Sequence, residues 1–178
     1  MKEKKGKLAI KDVTLIGMMV AVIEVCKMAL AWAPNIELVS FLFIMFTLFF
    51  GKKVMFVVPV FILIEGAVYG VGDWWFMYLY VWPILVLITW VFRKQDSVWI
   101  WCVVSSLFGF AFGFLCSFTY TIIGAVDGGI RNGLTVGFAK WVSGIPFDIP
   151  HGVGNFVIMM VLYKPVGQVL KEARKLYD

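Results

Sequence analysis

The sequence predicts an all-α integral membrane protein: a compact bundle of six transmembrane helices with both termini cytoplasmic. Three observations carry this. Of 178 residues, 62% are hydrophobic and 15% charged, against roughly half and a quarter in an average soluble domain, and the mean hydropathy is +0.92. The apolar residues fall into six blocks, most of which reach the ~20 residues that carry a helix across ~30 Å of hydrocarbon. The 16 Lys and Arg residues gather in the connections of one side, as short cytoplasmic loops require.

The first block, 8–33, follows a basic flank. It is too long for a removable signal peptide and has no small-residue cleavage site, so it is expected to stay as helix 1. Block 36–50 is short and must borrow Gly51 or a thinned bilayer edge to cross. Blocks 54–71 and 74–92 supply helices 3 and 4, and blocks 97–125 and 145–163 helices 5 and 6. Six helices leave no room for a soluble domain, so 1–178 reads as one membrane domain with cytoplasmic tails at about 1–8 and 165–178.

Orientation follows from charge. Lys2, Lys4, Lys5, Lys7, Lys11, Lys52, Lys53, Arg93, Lys94, Lys164, Lys171, Arg174 and Lys175 fall on one side. Arg131 and Lys140 fall on the other, and Lys27 lies within a span. The net charge of +5 is thereby accounted for without a nucleic-acid partner, since no basic stripe alternates with a readable motif. The cysteines Cys26, Cys102 and Cys116 are odd in number and sit in apolar blocks, so they read as small buried hydrophobes, not as a disulfide framework.

Ionisable groups inside a bilayer usually face a bundle interior or an aqueous cavity. Here they share the outer half. Glu24 and Lys27, spaced i and i+3 on helix 1, can pair, either to lock helices or to bind a ligand. Glu65 has no sequence-local partner, which favours a binding role. Glu37 opens helix 2, Asp73 lies in the turn before helix 4, and Asp148, His151 and Asn155 begin helix 6. A pore would need polar groups along the whole crossing. These converge and stop, as in a pocket open to the outside.

The run "DWWFMYLYVW", Asp73 to Trp82, is denser than an interfacial belt needs. Trp74, Tyr78 and Trp82 share one helical face, suited either to stacking a flat ligand or to packing. The longest connection, "DGGIRNGLTVGFAK", is expected to be a lid over the pocket. Its Arg131 and Lys140 could meet an anionic group or merely be solvated. Ser105, Gly109, Gly113 and Ser117 recur every fourth residue, a face on which another helix packs closely. Gly17 and Ala21 form a similar face on helix 1, toward the cytoplasmic half. In "SGIPFDIPHGVGNF", Asp148 can cap a helix start at which Pro150 costs nothing. Asp148, His151 and Asn155 then form one stripe, with Asn155 and His151 expected to hydrogen-bond a ligand.

Catalysis finds little support. One histidine cannot build a His-rich metal site, and no HExxH occurs. No GxxxxGK[ST] loop is present, so active transport must be powered by another protein.

On "GMMVAV", "YLYVWPILV" and "VSGIPFDIPHGVGNFVIMMVLYKPV", together with the length and order of the blocks over about residues 8 to 170, the chain resembles the substrate-binding S components of energy-coupling factor (ECF) transporters of the ABC type. The resemblance implies high-affinity capture of a vitamin or related micronutrient at the outer face of a bacterial cytoplasmic membrane. It implies inward delivery by toppling of the subunit, and as partners a coupling transmembrane subunit and two ATP-hydrolysing subunits. It implies neither enzymatic activity nor a cofactor. The docking surface maps to Gly17 and Ala21, a glycine standing where the family commonly has the first of two alanines. The pocket maps to Asn35, Glu37, Glu65, Asp73, Trp74, Tyr78, Arg131, Lys140, Trp141, Asp148, His151 and Asn155. The aromatic content favours a flat heterocycle, with a corrinoid such as cobalamin or a pantothenate-like acid still open. The rival is a self-contained small permease or membrane assembly protein whose polar cluster is structural.

Overall fold

A computed structural model describes residues 9–177, among which there are six α-helices and no strand. The expected tail 1–8, with Lys2, Lys4, Lys5 and Lys7, lies outside the described residues. Helix α1 is Ile10–Ala29, and Asp12 reaches back to accept the N–H of Ala9 at 2.8 Å, satisfying a donor that the helix start leaves free. Helix α2, Val39–Phe50, is buried at every position from Val39 to Thr47, which places it at the centre of the bundle. Gly51, at φ 65°, turns the chain through a 3-10 turn, Gly51–Lys53, into α3, Val54–Tyr69. Helix α4 is Asp73–Phe92 and α5 Val98–Phe110; a one-residue bend at Ala111 leads into α6, Phe112–Tyr177.

Helix α6 is two arms, because Gly128 and Gly129 leave helical geometry, the latter at φ 79°. Arm 130–177 folds back along arm 112–127 and α5. The glycines permit this close approach. A Cβ on Gly109 would stand 2.8 Å from the Cα of Gly152, one on Gly113 would stand 2.5 Å from Asp148 Oδ2, and one on Gly124 would stand 3.1 Å from the Cα of Gly133. The fourth-residue stripe read from the sequence is thus the seam of this hairpin.

Three helical stretches are long and apolar enough to cross a membrane: Val39–Tyr69, Asp73–Phe92 and Val98–Tyr177. This suits a membrane protein. Helix α1 is not among them, since Lys11, Asp12, Glu24 and Lys27 lie along it.

Two expectations are corrected. The stretch 127–140 is no lid: it is helical apart from Gly128 and Gly129. Its other glycines, Gly133 and Gly137, are buried where the arms touch and do not loosen the backbone. No helix begins near Asp148, because arm 130–177 runs on through Pro146, Pro150 and Pro165. The stretch from 165, expected as a cytoplasmic tail, is helical to Tyr177. There Tyr177 closes one end of the bundle, meeting Asp12 and Lys53, which themselves pair at 2.7 Å.

Candidate binding site

Two cavities hold polar side chains from several helices. One, of about 340 Å³, lies at the Tyr177 end beside Lys53, Arg93 and Arg174. The other, of about 320 Å³, lies toward the opposite ends of α1 and α3 and gathers residues that the sequence singled out. Both volumes fall at the low end for ligand pockets, and only the second brings acids, a histidine and flat aromatic walls together.

That second cavity is bounded by Lys27 of α1, by Asn35 and Glu37 of the 30–38 connection, and by Val39 of α2. Tyr78 and Trp82 of α4 form a wall. Phe112, Gly113 and Cys116 come from one arm of α6, and Gly144, Phe147, Asp148 and His151 from the other. The segment beside the site is therefore the 30–38 connection. It contains Asn35 at φ 60°, a conformation that non-glycine residues seldom adopt and that asparagine tolerates better than most.

Each polar group has an identifiable anchor. His151 Nε2 lies 3.1 Å from Glu37 Oε1, tying the connection to α6, and its ring packs edge-on to Phe112 with centroids 4.9 Å apart. Glu37 also accepts the N–H of Ser40 at 2.9 Å, capping the start of α2. Asp148 caps a helix as well, but not its own. The bend at Ala111 frees the N–H of Gly113, and Asp148 Oδ1 accepts it at 2.9 Å from the facing arm. Asp148 Oδ2 and Trp82 Nε1 are buried and have no hydrogen-bond partner among the described residues.

Lys27 forms an ion pair with Glu65, whose side chain is only 1% exposed, and lies 4.4 Å from the centroid of the Tyr69 ring. The pairing expected between Glu24 and Lys27 thus gives way to one across helices. Residues i and i+3 can meet on one helix, but the Glu65 carboxylate comes from a helix packed against α1 and has no solvent to turn to. Glu24 stands beside Glu65.

Of the twelve residues expected at the pocket, Asn35, Glu37, Tyr78, Asp148 and His151 line the cavity. Glu65 stands behind Lys27, and Trp74 packs against Tyr78 with ring centroids 5.3 Å apart. Asn155 is one helical turn past His151, 1% exposed, and donates to the Ser105 carbonyl at 3.3 Å; it does not line the cavity. Asp73, Arg131, Lys140 and Trp141 do not line it either. Lys140 sits over the Tyr120 ring, and Trp141 packs on Phe114 and Phe138, farther along the hairpin. Sequence reading missed Phe112 and Phe147. Their signal was present: Gly144, Phe147, Asp148 and His151 recur at helical spacing on one stripe. Gly17 and Ala21 are exposed on α1, and nothing lies within 4 Å of a Cβ placed on Gly17. Among the described residues, no group of three or more His, Cys, Asp and Glu side chains could hold a metal ion.

No protein-family model, no curated protein and no solved structure matches the chain.

Proposed function

We propose that this chain is a membrane-embedded binding subunit, the substrate-binding S component of an ECF transporter, with the 320 Å³ cavity as the vitamin site. The observation that carries this reading is the convergence of Glu37, Asp148, His151 and the aromatic wall of Tyr78 and Trp82 on one cavity. At about 30 Å³ per water molecule in the liquid, the volume corresponds to roughly ten waters. That is room for a ligand of one or two rings. In this reading the six crossings are α1, α2, α3, α4, α5 with arm 112–127, and arm 130–177. Both termini are cytoplasmic, at the end where Lys53, Arg93 and Arg174 gather. Gly17 and Ala21, exposed on α1, form the docking face for the coupling subunit, and ATP hydrolysis comes from two further subunits.

The test has two arms. Purified protein is titrated against a panel of vitamins and their precursors by native mass spectrometry, and tagged protein is isolated from its native membrane to identify what accompanies it. Tight one-to-one binding together with ATP-hydrolysing partners is the expected result. Absence of both would favour the rival, a small permease or assembly protein, for which the self-paired Lys27–Glu65 and His151–Glu37 groups serve only to hold helices together.

A further inference from the structure

The balance of charge around the cavity bears on what it accepts. Four carboxyl groups stand near it: Glu37 and Asp148 on its lining, with Glu65 and Glu24 behind Lys27. The cations are Lys27 and, when protonated, His151. Tyr78 and Cys116 add no charge at neutral pH. Lys140, over Tyr120, and Arg131 lie elsewhere on the hairpin. Carboxyl groups thus outnumber the basic side chains around the cavity by four to two, and apolar walls of low dielectric focus their field.

The hydrogen bonds locate it. Lys27 is committed to Glu65, and Glu37 to Ser40 and His151. Asp148, 6% exposed, spends Oδ1 on the Gly113 N–H and keeps Oδ2 without a partner among the described residues. An anionic ligand would bring a further like charge into a desolvated acidic site, whereas a donor or cation would meet an acceptor already in place.

We infer, resting on the reading of the cavity as a small-molecule site, that its ligand is a planar heterocycle that is cationic or presents N–H donors toward Asp148, and not a carboxylate. The flat faces of Tyr78, Trp82 and Phe112 hold the ring while Asp148 selects the edge.

Three isosteric one-ring probes separate charge from shape: benzamidinium, benzamide and benzoate. Their affinities for the full-length protein in detergent are measured by ligand-observed NMR. Benzamidinium is expected to bind at least about tenfold more tightly than benzoate, a difference of about 1.4 kcal/mol, with benzamide between them. Asp148→Asn keeps an acceptor for the Gly113 N–H but turns the cavity-facing oxygen into an uncharged N–H donor, so it should abolish the preference for benzamidinium over benzoate. Benzoate binding as well as benzamidinium would overturn the charge assignment and leave the binding-subunit reading to the vitamin panel. Failure of all three probes at millimolar concentration would overturn it too. Should Asp148→Asn not fold, the ranking of the probes on the parent protein decides alone.

Discussion

A single methyl group added at Gly113 should disable the junction on which the candidate site is built. In Gly113→Ala the new Cβ would stand 2.5 Å from Asp148 Oδ2 and 3.0 Å from Oδ1, well inside van der Waals contact. The carboxyl must swing away and abandon the Gly113 N–H that it accepts at 2.9 Å. A hydrogen bond to a charged group contributes about 1.5–3 kcal/mol, and overpacking a tight seam costs about 1–3 kcal/mol. Alanine returns about 1 kcal/mol through its helix propensity, so the net loss is roughly 1.5–5 kcal/mol. Two controls carry the same substitution. At Gly144 the nearest neighbour to a Cβ is 3.7 Å away, and at Gly17 nothing lies within 4 Å. Both should be neutral or gain up to about 1 kcal/mol. Thermal unfolding in detergent reads the difference, at about 2–4 °C per kcal/mol for a chain of this size. Benzamidinium affinity should fall with Gly113→Ala as well. The reasoning is refuted if Gly113→Ala melts at or above the parent temperature, or if Gly144→Ala falls by as much.

Other substitutions probe the remaining anchors. Lys27→Met, which strands a carboxylate that is 1% exposed, should cost about 3–5 kcal/mol; combined with Glu65→Gln the loss should be smaller than the sum by about 1–3 kcal/mol. A double-mutant cycle on chemical unfolding that returns zero coupling would show the pair to be incidental. Asn155→Ala should lower stability by about 1–3 kcal/mol, because it leaves the Ser105 carbonyl without its donor, while ligand affinity changes less than about twofold; a large affinity loss would return Asn155 to the site. Arg131→Ala and Lys140→Ala, on the far part of the hairpin, should leave both affinity and melting temperature within error of the parent, and any clear drop in affinity would place the hairpin over the cavity after all.

What could be read from the sequence, and what could not, divides along physical lines. Local patterns were readable. Apolar runs of helical length marked the helices, and the four-residue spacing of Ser105, Gly109, Gly113 and Ser117 marked a close-packed face. The spacing of Asp148 and His151 put both on one side of one helix. Partnerships across helices were not readable. Glu65 has no neighbour in sequence to pair with, because its partner Lys27 lies 38 positions away, and nothing local distinguishes that lysine's two candidate acids. The role of Asp148 was misassigned for the same reason. An acid before a proline signals a helix start, but the N–H it caps belongs to Gly113, 35 positions earlier. The glycines of 127–140 were ambiguous because glycine serves both loose loops and tight seams. Only Gly129 takes a left-handed backbone, whereas Gly133 and Gly137 are the places where two helices touch.

The burial of α2 has a consequence for how the chain is made. At 12 residues it is about 18 Å long by the helical rise, against the ~30 Å of hydrocarbon. A ribosome delivering it would offer the insertion machinery a segment too short to hold a crossing, with its partners on α4 and α6 not yet synthesised. It leads through the turn Gly51–Lys53 directly into α3, however, and the two make up the 31-residue stretch Val39–Tyr69. The two are therefore expected to enter the membrane as one hairpin folded at Gly51, and α2 to find its place only after the last helix has emerged. Assembly would wait on the C-terminal arm, and truncation of that arm would strand the centre of the bundle in lipid before any ligand could be met.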